Sequence, residues 1–108
     1  MYVVKRDQLP SPDSFAGEDH GGLGVSFLYV DMAPGRGPAL HKHAYAEVFI
    51  VLEGESVFIA GDDEPLLVPG EIVVVPPDTP HRFYNAGQGT LRQIDIHVSP
   101  RFVTEWLD

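Results

Sequence analysis

The sequence predicts an all-β domain, an antiparallel sandwich or barrel, on three observations. Runs rich in Val, Ile, Phe and Tyr alternate with period two, clusters of Gly, Pro and Asp separate them at short intervals, and no long helical period interrupts them. The candidate strands are 25–32, 38–43, 47–53, 56–61, 65–68, 71–76, 81–86 and 90–98. About eight short strands is the number of a jelly roll.

Taken in order, the opening MYVVKR alternates weakly and is expected to be an extended arm that pairs with a sheet edge, its own or that of a second copy. Residues 11–24, SPDSFAGEDHGGLG, are too rich in Gly, Ser, Pro and acids for a regular element and read as a loop, with His20 an ordinary exposed histidine. Glu53-Gly54, Gly61-Asp62-Asp63 and Asn85-Ala86-Gly87 supply the turns. Phe49 and Val51, alternating with Val48, Ile50 and Leu52, read as a strand buried on both faces. The last strand places Leu91, Gln93, Asp95 and His97 on one face and Arg92, Ile94, Ile96 and Val98 on the other. The ending PRFVTEWLD reads as about two helical turns, with Phe102, Val103, Trp106 and Leu107 on one face that covers the barrel or a partner subunit. The chain is thus one domain: an N-terminal strand and loop over 1–24, a barrel over 25–98 and a short C-terminal helix over 99–108.

Composition narrows the partners. The chain has 108 residues, enough for one serviceable core. Sixteen acidic against seven basic residues give a charge of -9, which repels phosphate backbones and anionic lipid, so neither nucleic acid nor a membrane is expected as a partner. Cysteine is absent, which removes disulfides, thiolate sites, Fe–S clusters and cysteine nucleophiles; any metal must use nitrogen and oxygen. The opening lacks the apolar core of a signal peptide and no run reaches membrane-spanning length, so a cytoplasmic location is expected. No glycine-rich phosphate loop or nucleophile elbow is present. Glu53, Glu55 and Asp62-Asp63-Glu64 read as solvated hairpin tips rather than a second cation site.

Against that background the stretch GRGPALHKHAYAEVFIVLEG stands out. Alternate side chains of a strand share a face, so His41 and His43 point together while Lys42 points away. Ala44, Tyr45 and Ala46 suffice for a reversal, after which Glu47 starts the next strand beside the imidazoles. His81 ends EIVVVPPDTPH, after prolines that stiffen the approach. If its strand runs beside the first pair, His41, His43, Glu47 and His81 form a three-nitrogen, one-oxygen set with coordination positions left open for water or substrate.

These residues carry a resemblance to the cupins. That family's first motif is Gly, five residues, His-x-His, three or four residues, Glu, six residues, Gly, and Gly35, His41, His43, Glu47 and Gly54 match every fixed place. In the second, read here as GEIVVVPPDTPHRFYN, Gly70, Pro76, His81 and Asn85 match, while Asp78 stands where the family usually has glycine. Asp is among the few residues that enter the left-handed region at tolerable cost, so the ligands are not called into question. The resemblance implies an antiparallel double-stranded β-helix, a jelly-roll barrel, holding one divalent transition metal per chain: iron, manganese, nickel, cobalt, copper or zinc.

The expected activity is that of a metal-dependent cupin acting on a small organic molecule, first an oxygenase of the dioxygenase type, with Glu47 able to accept a proton. A redox-neutral decarboxylase, isomerase or cyclase is the second reading, and a non-catalytic module that binds metal or a small ligand is the third. Tyr45 in the turn is a candidate to hydrogen-bond a metal-bound group, and Gln93 and His97 are candidates to meet substrate if their face lines the cavity. A homodimer is expected, since the N-terminal arm and the Trp106 face offer apolar surface that one small barrel does not cover. Sedimentation or light scattering at micromolar concentration should give twice the chain mass; a monomer mass contradicts it.

Overall fold

The structure, a computed structural model, describes residues 1–11 and 13–108; of the 11–24 loop, Pro12 lies outside the described residues. Among the described residues ten strands follow one another: β1 (Ser14–Phe15), β2 (Ser26–Met32), β3 (His41–Lys42), β4 (Glu47–Glu53), β5 (Ser56–Ile59), β6 (Leu66–Leu67), β7 (Ile72–Val75), β8 (Arg82–Asn85), β9 (Leu91–His97) and β10 (Glu105–Trp106). One sheet runs β1-β2-β9-β4-β7, and every pairing in it is antiparallel. Facing it are β6-β5-β8 and β10-β3, joined by an isolated bridge between His41 and His81. The result is the antiparallel jelly roll that the strand spacing predicts.

The core follows from side-chain parity. Phe49 and Val51 of β4 point inward with Phe58, Leu67, Val75, Phe83 and Leu91, and the three phenylalanine rings meet edge-on or tilted at 4.8 to 5.7 Å between centroids. The other face of β4 is not a second core. Val48 and Ile50 are half-buried and Leu52 is exposed, because no layer among the described residues covers the outside of this sheet at β4. The five-stranded sheet is therefore one-sided, with Ile72 and Val74 of its edge strand also exposed.

Tight turns hold the strand ends. Gly54 has φ of 87°, and a Cβ there would lie 2.7 Å from the carbonyl oxygen of Thr90, so both conformation and space require glycine. Asp78 has φ of 60°, the one left-handed non-glycine among the described residues, and it occupies the motif place where glycine is usual. Asn85 ties the β8–β9 turn to β2: its amide donates to the carbonyls of Met32 and Gly89, while its Oδ1 accepts from Gly87 N–H.

Two terminal expectations are corrected. MYVVKR forms no strand, since the free edge of β2 is already taken by Ser14–Phe15, which lies inside the segment read as a loop. The arm instead leads into a short 3-10 turn, Arg6–Gln8, with the Arg6 guanidinium 4.1 Å above the Tyr29 ring, and His20 stacks on Phe15 at 4.3 Å. The C-terminal helix is absent as well. Residues 105 and 106 pair with 42 and 41, and Leu107 N–H donates to the Leu40 carbonyl. A helix of two turns is marginal by itself, and these tertiary partners for the backbone outcompete it. No helix among the described residues is long and apolar enough to cross a membrane.

Candidate metal centre

Register brings the four candidate ligands together from two layers. In the large sheet Glu47 lies opposite His97 on one side and Val75 on the other. In the facing layer the His41 and His81 backbones exchange two hydrogen bonds, 3.1 and 2.9 Å, which sets their side chains next to each other. His43 follows two residues later on the same face. All four are buried, and one ligand atom from each lies within 4.8 Å of the others.

Backbone carbonyls decide which ring nitrogen is free. His41 Nδ1 donates to Ala39, His43 Nδ1 to Val103 and His81 Nδ1 to Thr79, each at 2.8 Å. A carbonyl only accepts, so in the neutral ring each Nε2 keeps its lone pair. That is how a protein orients an imidazole toward a metal. Two of these lone pairs face a carboxylate oxygen: His43 Nε2 lies 3.0 Å and His81 Nε2 3.1 Å from Glu47 Oε1. His43 Nε2 is also buried without a hydrogen bond. Three acceptors turned on one point repel unless a cation sits among them, so the residues present fit a bound metal.

His97, a candidate for contact with substrate, is held differently. The Tyr45 hydroxyl lies 2.7 Å from His97 Nδ1 and accepts from Val103 N–H at 3.0 Å. Where that hydroxyl gives its proton to Nδ1 rather than to the Val103 carbonyl at 3.2 Å, the proton of His97 sits on Nε2, 3.1 Å from Glu47 Oε2. His97 thus fixes the carboxylate, and its ring also lines the cavity. The Tyr45 ring stacks on His43 at 5.0 Å between centroids, and its hydroxyl is committed to His97 and to the Val103 backbone. Gln93 is buried behind the cavity wall, donating from Nε2 to Asp95 Oδ1 at 2.9 Å, with its own Oε1 unpartnered.

Electrostatics follow from this packing. Burial raises the Glu47 carboxyl, but the contacts with His43, His81 and His97 outweigh it and hold the group well below the usual carboxylate range. For His43 burial works downward, and Glu47 together with the Val103 carbonyl reverses it, so the pKa is raised. Burial lowers His41. Burial, with the nearby Glu47 charge, pushes Asp95 well above its usual value.

Above the ligands lies a cavity of about 340 Å³. His41, His43 and Glu47 form its polar end, while Phe102, Thr104 and Trp106 of the C-terminal segment and Leu28, Val30 and Met32 of β2 wall it. The Trp106 ring sits 5.2 Å from His41 and Phe102 4.9 Å from His97. Asp95 also faces this space. Strand parity puts it on the same face as Gln93 and His97, and an acidic residue at an inward position of a strand is the signal in the sequence that marks it.

The chain belongs to the cupin family: residues 28–97 match the Cupin_2 model, a cupin domain. Protein SchB of Streptomyces halstedii is 31% identical over 86 residues, which are 79% of this chain and 59% of SchB. The chain therefore spans less than two thirds of that relative. A cupin-like protein of Thermotoga maritima superposes with a TM-score of 0.78 at 24% identity, over 87% of this chain and 72% of the other. An oxalate oxidase in complex with the substrate analogue glycolate gives a TM-score of 0.71 at 26% identity, over 79% of this chain and 47% of the oxidase.

The Asp95 environment sets a pH dependence. An acid whose folded pKa exceeds its unfolded value holds a proton only when folded across the interval between them, so it costs stability as pH rises from about 4. Asn at this place keeps the acceptor for Gln93 and has no such cost. Asp95→Asn should stabilise the metal-free protein at about pH 7.5, with the gain shrinking toward about pH 4.5. Urea denaturation at the two pH values checks this; equal midpoints at the higher pH contradict it.

Proposed function

We propose that this chain is a metal-dependent cupin that acts on a small organic molecule, with one divalent transition metal held by His41, His43, Glu47 and His81. The observation that carries the reading is the pair of imidazole lone pairs directed at Glu47 Oε1. When bound, the metal supplies Lewis-acid and, for iron, manganese, nickel or copper, redox chemistry. The protein's own groups do the rest. Backbone carbonyls orient the imidazoles, His97 lies against Glu47 Oε2, and β2 with the C-terminal segment gives the reacting end a largely apolar wall.

Within that class the first reading is an oxygenase, supported by the open, largely apolar cavity beside the ligands and by the likeness to an oxalate oxidase. Glu47, steadied through one oxygen by His97, is then the group placed to take up a proton. The buried Asp95, which faces the same cavity, favours a second, redox-neutral reading, in which a bound metal would supply Lewis-acid chemistry and Asp95 a carboxyl group beside the substrate.

Elemental analysis of protein purified without added metal should show about one transition metal per chain, and His81→Ala should weaken metal affinity by more than about a hundredfold. The iron, manganese, nickel and copper forms are then tested in an oxygen electrode with flavonol, 1,3-diketone and thiol compounds. Oxygen uptake by one of them supports oxygenation. Turnover by the zinc form without oxygen uptake transfers the assignment to the redox-neutral reading, and unchanged metal affinity in His81→Ala contradicts the metal centre itself.

A further inference from the structure

The outer face of the five-stranded sheet carries an apolar block that register aligns in two rows. Val74 lies opposite Val48, Val48 opposite Ile96, and Ile96 opposite Phe27. Two residues along, Ile72, Ile50, Ile94 and Tyr29 repeat the pattern. The N-terminal turn covers the β2 end, where Arg6 lies over Tyr29, whereas Ile72 and Val74 at the β7 end are 61% and 65% exposed. Along one border Arg92 pairs with Asp31 and Glu53. An apolar centre with a polar rim is the layout of a protein interface.

β7 is also the end of its sheet. Among the described residues it pairs with β4 alone, and beside it lies a cavity of about 330 Å³ with Val73, Val75, Phe58, Pro65 and Asp63 in its wall. An open edge next to an apolar hollow is a template for one more extended strand. The MYVV arm has the apolar, β-branched composition of such a strand, and Ser14–Phe15 already holds the edge of β2. Met1 to Val4 are exposed, and the Tyr2 hydroxyl meets only the exposed His20 ring, at 3.0 Å. The arm cannot reach β7 of its own chain. Arg6 is held over β2, and a strand added beyond β7 lies four spacings away, roughly 19 Å, against the roughly 3.4 Å that Lys5 spans.

A second copy supplies both missing surfaces, since each chain has one arm and one open edge and a two-fold axis satisfies the two together. The two rows have a footprint on the order of 300 Å². A stable complex buries roughly 800 Å² per partner, so the face needs the arm as well. Charge favours the same place: the rows hold no ionisable group except the Tyr29 phenol in a chain of net charge -9, so two copies meet there with least repulsion.

We propose that two copies pack the outer faces of their five-stranded sheets together, and that residues 1–4 of each add as a strand to the β7 edge of the other. One parity of the arm then extends the row of Ile72 and Val74, and the other fills the cavity beside Val73 and Val75. Lys5 follows toward the acidic groups flanking β7, Asp63 and Glu71. Because β7 sets Val75 opposite Glu47, the partner's arm steadies the strand next to the candidate ligand. The association goes beyond the metal reading and holds with or without a bound ion.

Sedimentation equilibrium of the full chain measures the dimer constant. Val74→Asp on the sheet face should weaken it at least about a hundredfold. The double variant Val3→Pro, Val4→Pro should do the same, because one of the two lost N–H groups faces β7. Val103→Asp, on the exposed C-terminal segment, should leave it unchanged. Should Val74→Asp fail to fold, cross-linking decides. The chain has no cysteine, so Val3→Cys and Val74→Cys carry one thiol each. Co-expressed and treated with a short bis-maleimide, they should give a covalent pair of one chain of each kind, at least about tenfold more than either variant gives alone. A monomer at micromolar concentration, a dimer that survives Val74→Asp or the double proline variant, a dimer lost in Val103→Asp, or the absence of the mixed pair overturns the proposal.

Discussion

One carboxylate oxygen organises the mouth of this barrel. Glu47 Oε1 receives two imidazole nitrogens whose protons are committed elsewhere, at 3.0 and 3.1 Å. Acceptors at that separation inside a buried site repel strongly, since low polarisability around them leaves the repulsion little screened. A proton or a metal cation resolves the conflict, and the two compete for the same place. The depressed Glu47 and raised His43 pKa values describe the proton-filled alternative. A divalent ion held by these groups would take the place of that proton and would also engage the third imidazole, His41.

The fold around this point makes sense as a way of holding it. The large sheet fixes Glu47 and His97 in register, the His41–His81 bridge joins the facing strands, and the C-terminal segment closes the remaining side. That last contact reaches furthest along the chain. The Val103 carbonyl, sixty positions from His43, sets which nitrogen of that ring is free, and the Val103 N–H engages Tyr45. The same segment supplies Phe102, Thr104 and Trp106 to the cavity wall. Ligand geometry and cavity shape are consequently coupled through one short stretch of backbone, so a change in either is expected to be felt in the other.

Local patterns made the ligands and most strands legible. His41, His43 and Glu47 fall within one reversal, where strand parity alone decides that they point together, and Asp78 adopts the left-handed turn that its chemistry tolerates. Turn residues bracket the strand 47–53, so its bounds are legible in the sequence. What stayed hidden depends on partners distant in sequence. The spacing of Phe102, Val103, Trp106 and Leu107 suits a helical face, whereas Phe102, Thr104 and Trp106 reach the cavity as alternate residues of an extended segment; only the unpaired backbone of residues 40–42 decides between them. The MYVVKR arm lost its edge to Ser14–Phe15 for the same kind of reason. Parity also assigned Gln93, Asp95 and His97 to one face without saying how deep each lies. His97 reaches Glu47, Asp95 the cavity, and Gln93 neither.

The claim that a metal, rather than a proton, completes the site is tested most directly by X-ray absorption spectroscopy of the cobalt-reconstituted protein. Imidazole rings give a characteristic multiple-scattering pattern, so their number at the metal can be read. The account predicts a single cobalt per chain bound by three imidazoles with the remaining first-sphere atoms oxygen. A spectrum of oxygen ligands alone, as a cluster of exposed carboxylates such as Asp62-Asp63-Glu64 would give, contradicts it.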